Sequence, residues 1–395
     1  MNFKELAEQT EEYIIEQRRY FHAHPELSWQ EFNTTKALAA RIEEMGLEPH
    51  FFKNCQGLWT EIKGEAAGAN AKTVALRADI DALPVEEHTG LPFASENKGV
   101  MHACGHDCHM SMLLGGVKML LAHKAELKGT VKILFQPAEE SGEGANKVIA
   151  EGFLDGVDAI YGAHIWGDFD APYISVEPGP RMASCDIIEI DVEGLSAHGS
   201  APHQGIDAIV ASAAMINQIQ TLVSRKNDPL NPLVVTIGKI EGGQRFNIIA
   251  NHVHMDGTVR TLSAETRNKV EGWIDHIVQS VATAHGATAK LTYHYTPPAV
   301  INEHEDLNKI AKNALEKMYG PEGGHHLEKM MGAEDYAFFM EKVPGIFGFV
   351  GGRNAAIGCT ELNHNDKFTV DEGVLKRGAA MYAQFAFDYL EAKAQ

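Results

Sequence analysis

Cysteine is scarce: five residues in 395 (Cys55, Cys104, Cys108, Cys185 and Cys359), an odd number scattered along the chain. A disulfide framework is not built that way, and the usage points to a reducing, intracellular compartment. Basic side chains are in deficit as well. The 34 Lys and Arg against 54 Asp and Glu leave a formal net charge of −20. Such a surface repels nucleic acid and anionic membranes, and neither is expected as a partner. Long apolar runs are missing too. The most apolar helical stretch, Ala208 to Ile216, falls far short of the roughly 20 residues that span a bilayer. The N-terminus carries Glu5 and Glu8 where a signal peptide needs a basic stretch followed by an apolar one, so a soluble, cytoplasmic protein is expected. There is no low-complexity segment and no repeat of fixed period. What remains is ordinary globular composition, with 44% hydrophobic and 22% charged residues. At roughly 150 residues per domain, the length suggests two or three domains, one of which can be interrupted by another. Twenty histidines beside the acid excess make cation binding by some of both an open reading.

Hydrophobic periodicity divides the chain. Residues 4–23 and 34–45 read as amphipathic helices, 73–79, 130–135 and 158–164 as buried strands, and 111–123 as a helix between two of them. Strands alternating with helices predict an α/β layer with a largely parallel sheet, whose ligands lie beyond the carboxyl ends of the strands. After Pro178-Gly179-Pro180 the pattern changes to strand (185–193), helix (206–223), strands (233–240 and 252–260), helix (264–285) and strand (288–295). That β-α-β-β-α-β order is the ferredoxin-like α+β arrangement. The chain then returns to helix (307–319), strand (345–350) and helix (372–390). Residues 1–183 and 298–395 are therefore expected to form one discontinuous α/β domain, with 184–297 inserted in it.

The densest chemistry is His102-Ala103-Cys104-Gly105-His106-Asp107-Cys108-His109. Thiolate and imidazole are donors that zinc and its neighbours prefer. Any one of these residues alone would read as a surface His or a buried free Cys, but five donors in eight residues favour a metal site. A closed structural zinc site would need a second Cys cluster, and the chain has none. The second element is Gln136-Pro137-Ala138-Glu139-Glu140 at the end of a buried strand. Adjacent carboxylates there are costly unless a cation faces them. One can then bind the metal while the other handles protons. Asp79 and Asp81 also follow a buried strand and are candidates to orient metal-binding imidazoles. His164 is expected at the end of the third strand, and His364 lies in a polar loop. Gly142-Glu143-Gly144-Ala145-Asn146-Lys147 imitates a phosphate loop but lacks its third Gly and its Gly-Lys-Ser/Thr, and reads as a turn into a helix. Met330, Met331 and Phe338 suit either an apolar acyl pocket or plain core.

Taken in order, Arg18-Arg19 through His24-Pro25-Glu26-Leu27, Arg77-Ala78-Asp79-Ile80-Asp81-Ala82-Leu83-Pro84, the Cys104 cluster, Gln136 to Glu140 and Gly194 through His198 to His203 make the chain similar to the peptidase M20 amidohydrolases. The resemblance is closest to the branch with N-acyl-amino-acid amidohydrolases, hippurate hydrolases and auxin-conjugate hydrolases. It implies a zinc-peptidase-like catalytic domain with two divalent metal ions at Cys104, His106, Glu140, His164 and His364. It also implies Glu139 as catalytic base to a metal-activated water. Residues 184–297 match the family's lid and dimerisation domain, and a homodimer is implied. In relatives a His matching His198 reaches the partner's site to stabilise the oxyanion, and residues matching Asn247 and Arg260 grip the substrate. Two places depart from the family pattern, Leu195-Ser196-Ala197-His198-Gly199-Ser200 in the lid and Asp366 after the last metal His, and neither removes a ligand.

The implied reaction cleaves small N-acyl or N-aroyl amino acids to a carboxylic acid and a free amino acid. A dipeptidase or carboxypeptidase would share every catalytic residue, and an inactive ligand-binding homologue is the alternative outside enzymes. The Cys104 thiolate favours zinc, while manganese and cobalt also suit the other donors.

Overall fold

A computed structural model describes residues 2–394. They form two compact units. One comprises the chain up to Gly179 with Ile301–Glu328 and everything from Asp335, and the other Pro180–Val300 with Lys329–Glu334.

The first unit is built on a seven-stranded sheet. Its order is His50–Phe51, Leu58–Lys63, Thr130–Gln136, Thr73–Asp79, Ala159–Asp170, Gly345–Arg353 and Ile174–Ser175. The four strands from Thr130–Gln136 to Gly345–Arg353 run parallel, and the outer pairings are antiparallel. The central strands are near-continuously apolar because both faces are covered, and Val74 to Asp79 are all buried. Helices Phe3–Ala23, His106–Ala122 and Leu375–Lys393 pack on one another around this layer. Ile14, Leu113, Val117, Met381 and Phe385 lie in their shared core.

Two expectations shift here, and both shifts concern the site. The helix expected from 111 begins at His106. Gly105, at φ +89, takes the left-handed N-cap conformation, and its carbonyl accepts from the Cys108 and His109 N–H groups. A Cβ on Gly105 would stand 2.3 Å from Ile165 Cγ2, so only glycine fits both the backbone angle and the space. The strand expected to end at His164 continues to Asp170, because parallel pairing with Gly345–Arg353 carries it through Trp166. His164 therefore stands within a strand rather than at its end.

The second unit is a four-stranded antiparallel sheet. Its order is Thr288–His294, Asp186–Glu193, His252–Thr261 and Leu233–Gly242. In chain order these are strands four, one, three and two, the ferredoxin-like topology. Alternate residues Ile188, Ile190 and Val192 face a core shared with Val270, Ile274 and Val278 of the Ala264–Ala284 helix and with Met215 and Ile219 of the Ala208–Thr221 helix. Asp207 and Ser263 cap these helices through side-chain oxygens. The first helix ends in a π turn, Leu222–Lys226. The fold is thus α/β with a ferredoxin-like α+β insertion. Among the described residues no helix is long and apolar enough to cross a membrane.

Candidate metal centre

Six candidate donors converge in the first unit from four separate pieces of chain. Cys104 lies on the turn ahead of the His106–Ala122 helix, and His106 is the first residue of that helix. His164 comes from the Ala159–Asp170 strand. Glu139 and Glu140 sit on a single short turn just after Thr130–Gln136, entered through Ala138 at φ 56. His364 is held at φ 69 in a loop whose backbone donates to Ala103 O at 2.7 Å. Asn363 fastens the same loop by donating to Cys104 O and Ile165 O and accepting from Gly167 N–H at 2.8 Å.

The donor atoms face one another. Cys104 Sγ is 3.4 Å from His164 Nε2 and 3.3 Å from His364 Nε2. His364 Nε2 is 3.6 Å from Glu140 Oε1, and His106 Nε2 is 3.9 Å from both Glu140 Oε1 and Glu139 Oε2. Two triads result, Cys104/His106/His164 and Cys104/Glu140/His364, with all donor atoms of each within 4.8 Å of one another. Cys104 belongs to both.

Contacts on the far side of the His164 and His106 rings set which nitrogen faces inward. His164 Nδ1–H donates to Ile165 O at 2.6 Å, which leaves the Nε2 lone pair on the cluster. His106 Nδ1 lies 3.3 Å from Asp81 Oδ1, and its Nε2 is buried with no hydrogen-bond partner among the described residues, as is Glu140 Oε1. Buried polar atoms left unpaired in this way are costly, and lone pairs turned inward suit a cation. The charges agree. Burial, reinforced by Glu140 and Glu139, pushes the Cys104 thiol up, and burial raises the Glu140 carboxyl to about 7. Burial holds His164 well below the usual imidazole range and, with His106, lowers His364. Burial opposes charge on His106 also, but Asp79 and Asp81 overcome it and raise the ring to about 10. A pocket crowded with acidic donors, which raise the one imidazole facing them, fits divalent cations.

The two flanking aspartates divide their work. Asp81 faces His106 and accepts the Glu139 and Glu140 N–H groups at 3.1 and 3.0 Å. Asp79 hydrogen-bonds His109 rather than His106, whose Nδ1 is 3.7 Å away. The residues of the second unit form their own groups. His198 Nδ1 accepts the Ser200 N–H at 3.2 Å, and the neighbouring Gly199 N–H donates to Asn247 O at 2.8 Å. Arg260 Nη1 donates to Met331 O at 3.0 Å.

Sequence reasoning gave no supporting role to several residues around the cluster, including His109, which it counted with the candidate donors. His109 Nε2 accepts the Ile165 N–H at 2.8 Å, which ties the helix to the strand that carries His164. Arg77, fully buried, donates to Asp79 Oδ2 at 2.6 Å, Gln136 Oε1 at 2.7 Å and Asp335 Oδ1 at 3.1 Å. The Asp335 N–H donates in turn to Glu139 Oε1 at 3.3 Å. A charged residue inside the apolar run 73–79 was the available signal for Arg77.

Comparison with known proteins gives the same direction. Residues 75–388 match the model of peptidase family M20/M25/M40. The chain is 40% identical over 392 residues to thermostable carboxypeptidase 1 of Saccharolobus solfataricus, covering 98% of both chains. It is 38% identical to an N-acetyl-L-cysteine deacetylase of Bacillus subtilis, covering 94% of this chain and 87% of that one. The crystal structure of a dinuclear metal-binding M20-family peptidase of Bacillus subtilis superposes with a TM-score of 0.86 at 36% identity, covering 97% of this chain and 99% of that one. With the match spanning the fold and the donor cluster alike, the chain belongs to peptidase family M20/M25/M40 and is a metal-dependent amidohydrolase of that family.

Proposed function

We propose that the protein hydrolyses small N-acyl or N-aroyl amino acids to a carboxylic acid and a free amino acid. The observation that carries this reading is the double membership of Cys104 in the two donor triads, with the Glu139 carboxylate beside both. Cys104, His106 and His164 would hold one divalent cation and Cys104, Glu140 and His364 a second, and the pair, when bound, supplies Lewis acidity that acidifies water and polarises a carbonyl. Glu139 takes the proton of the attacking water and passes it to the leaving nitrogen. Its Oε1 accepts the Asp335 N–H at 3.3 Å, and its Oε2 lies 3.9 Å from His106 Nε2. Asp81 and Asp79 orient the site from behind.

In the second unit, the Ser200 N–H on His198 Nδ1 leaves Nε2 to carry a proton in the neutral ring, as a donor to the tetrahedral oxyanion must. Asn247 is assigned to the substrate's carbonyl and Arg260 to its α-carboxylate, which matches a planar guanidinium fork. We take residues 184–297 as lid and dimerisation domain, in a homodimer. Phe246 at 92% exposure and Ile240 at 49%, on and beside the edge strand Leu233–Gly242, support a covered surface there. Zinc is the proposed metal because of the thiolate, with manganese or cobalt acceptable to the remaining donors. Five free cysteines, one of them a ligand, support a cytoplasmic location.

A carboxypeptidase reading is favoured by one observation, the name of the 40% identical relative. A peptide's terminal residue offers the same α-carboxylate, and only the acyl side differs. Apo protein reconstituted with zinc, manganese or cobalt and given hippurate, N-acetyl amino acids and dipeptides side by side separates the two. Metal-dependent release from the N-acyl compounds is expected to be the faster. Faster dipeptide cleavage would transfer the assignment to a peptidase, and no turnover with any metal would leave an inactive ligand-binding homologue. Glu139→Ala should keep both cations while turnover falls by about 10²- to 10⁴-fold; near-normal kcat would sink the base assignment.

A further inference from the structure

Three consecutive peptide N–H groups of the turn bearing Glu139 point at two buried carboxyl groups. Ala138 N–H donates to Glu31 Oε1 at 2.8 Å, Glu139 N–H to Asp81 Oδ1 at 3.1 Å and Glu140 N–H to Asp81 Oδ2 at 3.0 Å. Successive N–H groups that converge in this way form an anion-holding concavity. Ala138 sits at φ 56, in the left-handed region that is unfavourable for an L residue and persists only where its surroundings impose it.

Glu31 has been diverted from an ordinary task. It stands at the N-cap of the Phe32–Glu44 helix, yet its side chain makes no cap hydrogen bond there. Glu26 does that work instead, accepting the Asn33 and Thr34 N–H groups at 2.8 Å each. The Glu31 side chain is entirely buried and reaches a peptide 107 positions away. Its Oε2 is buried without a hydrogen-bond partner among the described residues. Two carboxylates on one concavity repel, and burial together with Asp81 raises Glu31 to about 7. A neutral acid still accepts an N–H through its carbonyl oxygen.

We propose that Glu31 is a positioning residue for the hydrolysis: its Oε1 holds the Ala138 peptide in the left-handed conformation and so sets the direction in which Glu139 leaves the turn. The inference rests on the assignment of Glu139 as general base.

Two substitutions test it. Glu31→Gln keeps the acceptor, and Glu31→Ala removes it. Glu31→Ala should lower kcat by about 10- to 100-fold with KM within about twofold, since a small misplacement of a reacting group costs rate rather than binding. Cation content should stay at two per chain. In the apo protein, amide exchange of the peptide covering 138–140 should quicken about tenfold in Glu31→Ala. Glu31→Gln should remain within about threefold of the parent on each readout.

A Glu31→Ala protein with parental kcat and exchange overturns the proposal. So does one that fails to fold or loses cation, which would assign Glu31 to stability, and so does a Glu31→Gln protein as impaired as Glu31→Ala. Glu139→Gln is the control. Near-normal turnover there sinks the base assignment and this inference with it. A dead Glu139→Gln beside a normal Glu31→Ala sinks this inference alone.

Discussion

His109 contacts no member of the donor triads through a hydrogen bond, yet it bridges two of their supports. Its Nε2 accepts the Ile165 N–H, so its Nδ1 must carry the proton directed at Asp79. One neutral ring thereby locks the strand beside His164 to the carboxylate that also holds Arg77. His109→Ala would leave the Ile165 N–H and Asp79 short of a partner in a buried setting. Loss of such an outer partner weakens metal binding by about 10- to 100-fold, and chelator competition against the parent measures it; unchanged affinity would show that His109 only fills space. At this scale the donors were legible, because soft ligands crowd 102–109 and a Glu pair follows a buried strand. The cluster's internal roles were not. His102 and His106 look alike in sequence, but His102 is buried with both ring nitrogens lacking a hydrogen-bond partner among the described residues and is held down to about 4 by burial, while His106 Nε2 faces the other donors. Nor could the Arg77–Asp335 pair be read, since its members lie 258 positions apart.

Elements place these side chains through a few backbone devices. Periodicity finds the body of a helix because burial repeats along it, but it does not find where the first turn starts. The His106–Ala122 helix is buried nearly all round, so no polar face marked its beginning, and the left-handed Gly105 that sets the start lies six residues ahead of the expected one. Gly105→Ala tests that device. The substitution forces an alanine to φ +89 and its Cβ to 2.3 Å from Ile165 Cγ2. Left-handed strain and overpacking together should destabilise by about 2–5 kcal/mol. The helix start would also shift, carrying His106 away from Cys104. The expected outcome is a lower unfolding midpoint and less than two bound cations per chain. A variant that matches the parent in both would mean that the turn relaxes without moving the ligands. The strand through His164 has a related origin, since its extension to Asp170 depends on Gly345–Arg353, a partner that local sequence does not identify.

For the whole molecule, order along the chain was the readable quantity. The β-α-β-β-α-β succession admits few antiparallel arrangements, and the second unit adopts the ferredoxin-like one. Pairing across subunits leaves no such periodic trace, and the exposed surface has to be inspected instead. In that unit the outer edge of Leu233–Gly242 pairs with no strand among the described residues, and Ile240 and Phe246 stand 49% and 92% exposed. An open edge with apolar side chains invites another strand, and natural proteins keep such edges charged unless they are used. A net charge of −20 opposes non-specific association of copies, so a dimer must draw on a localised apolar contact. Ile240→Lys with Phe246→Asp should therefore convert a dimer to a species of the single-chain mass in light scattering after size exclusion, with the unfolding midpoint of the unit little changed because both side chains already face solvent. If His198 serves a partner's oxyanion, turnover in this monomer should fall while two cations per chain remain bound. A parent protein that is monomeric at micromolar concentration, or a double variant that stays dimeric, would remove the edge strand from the interface.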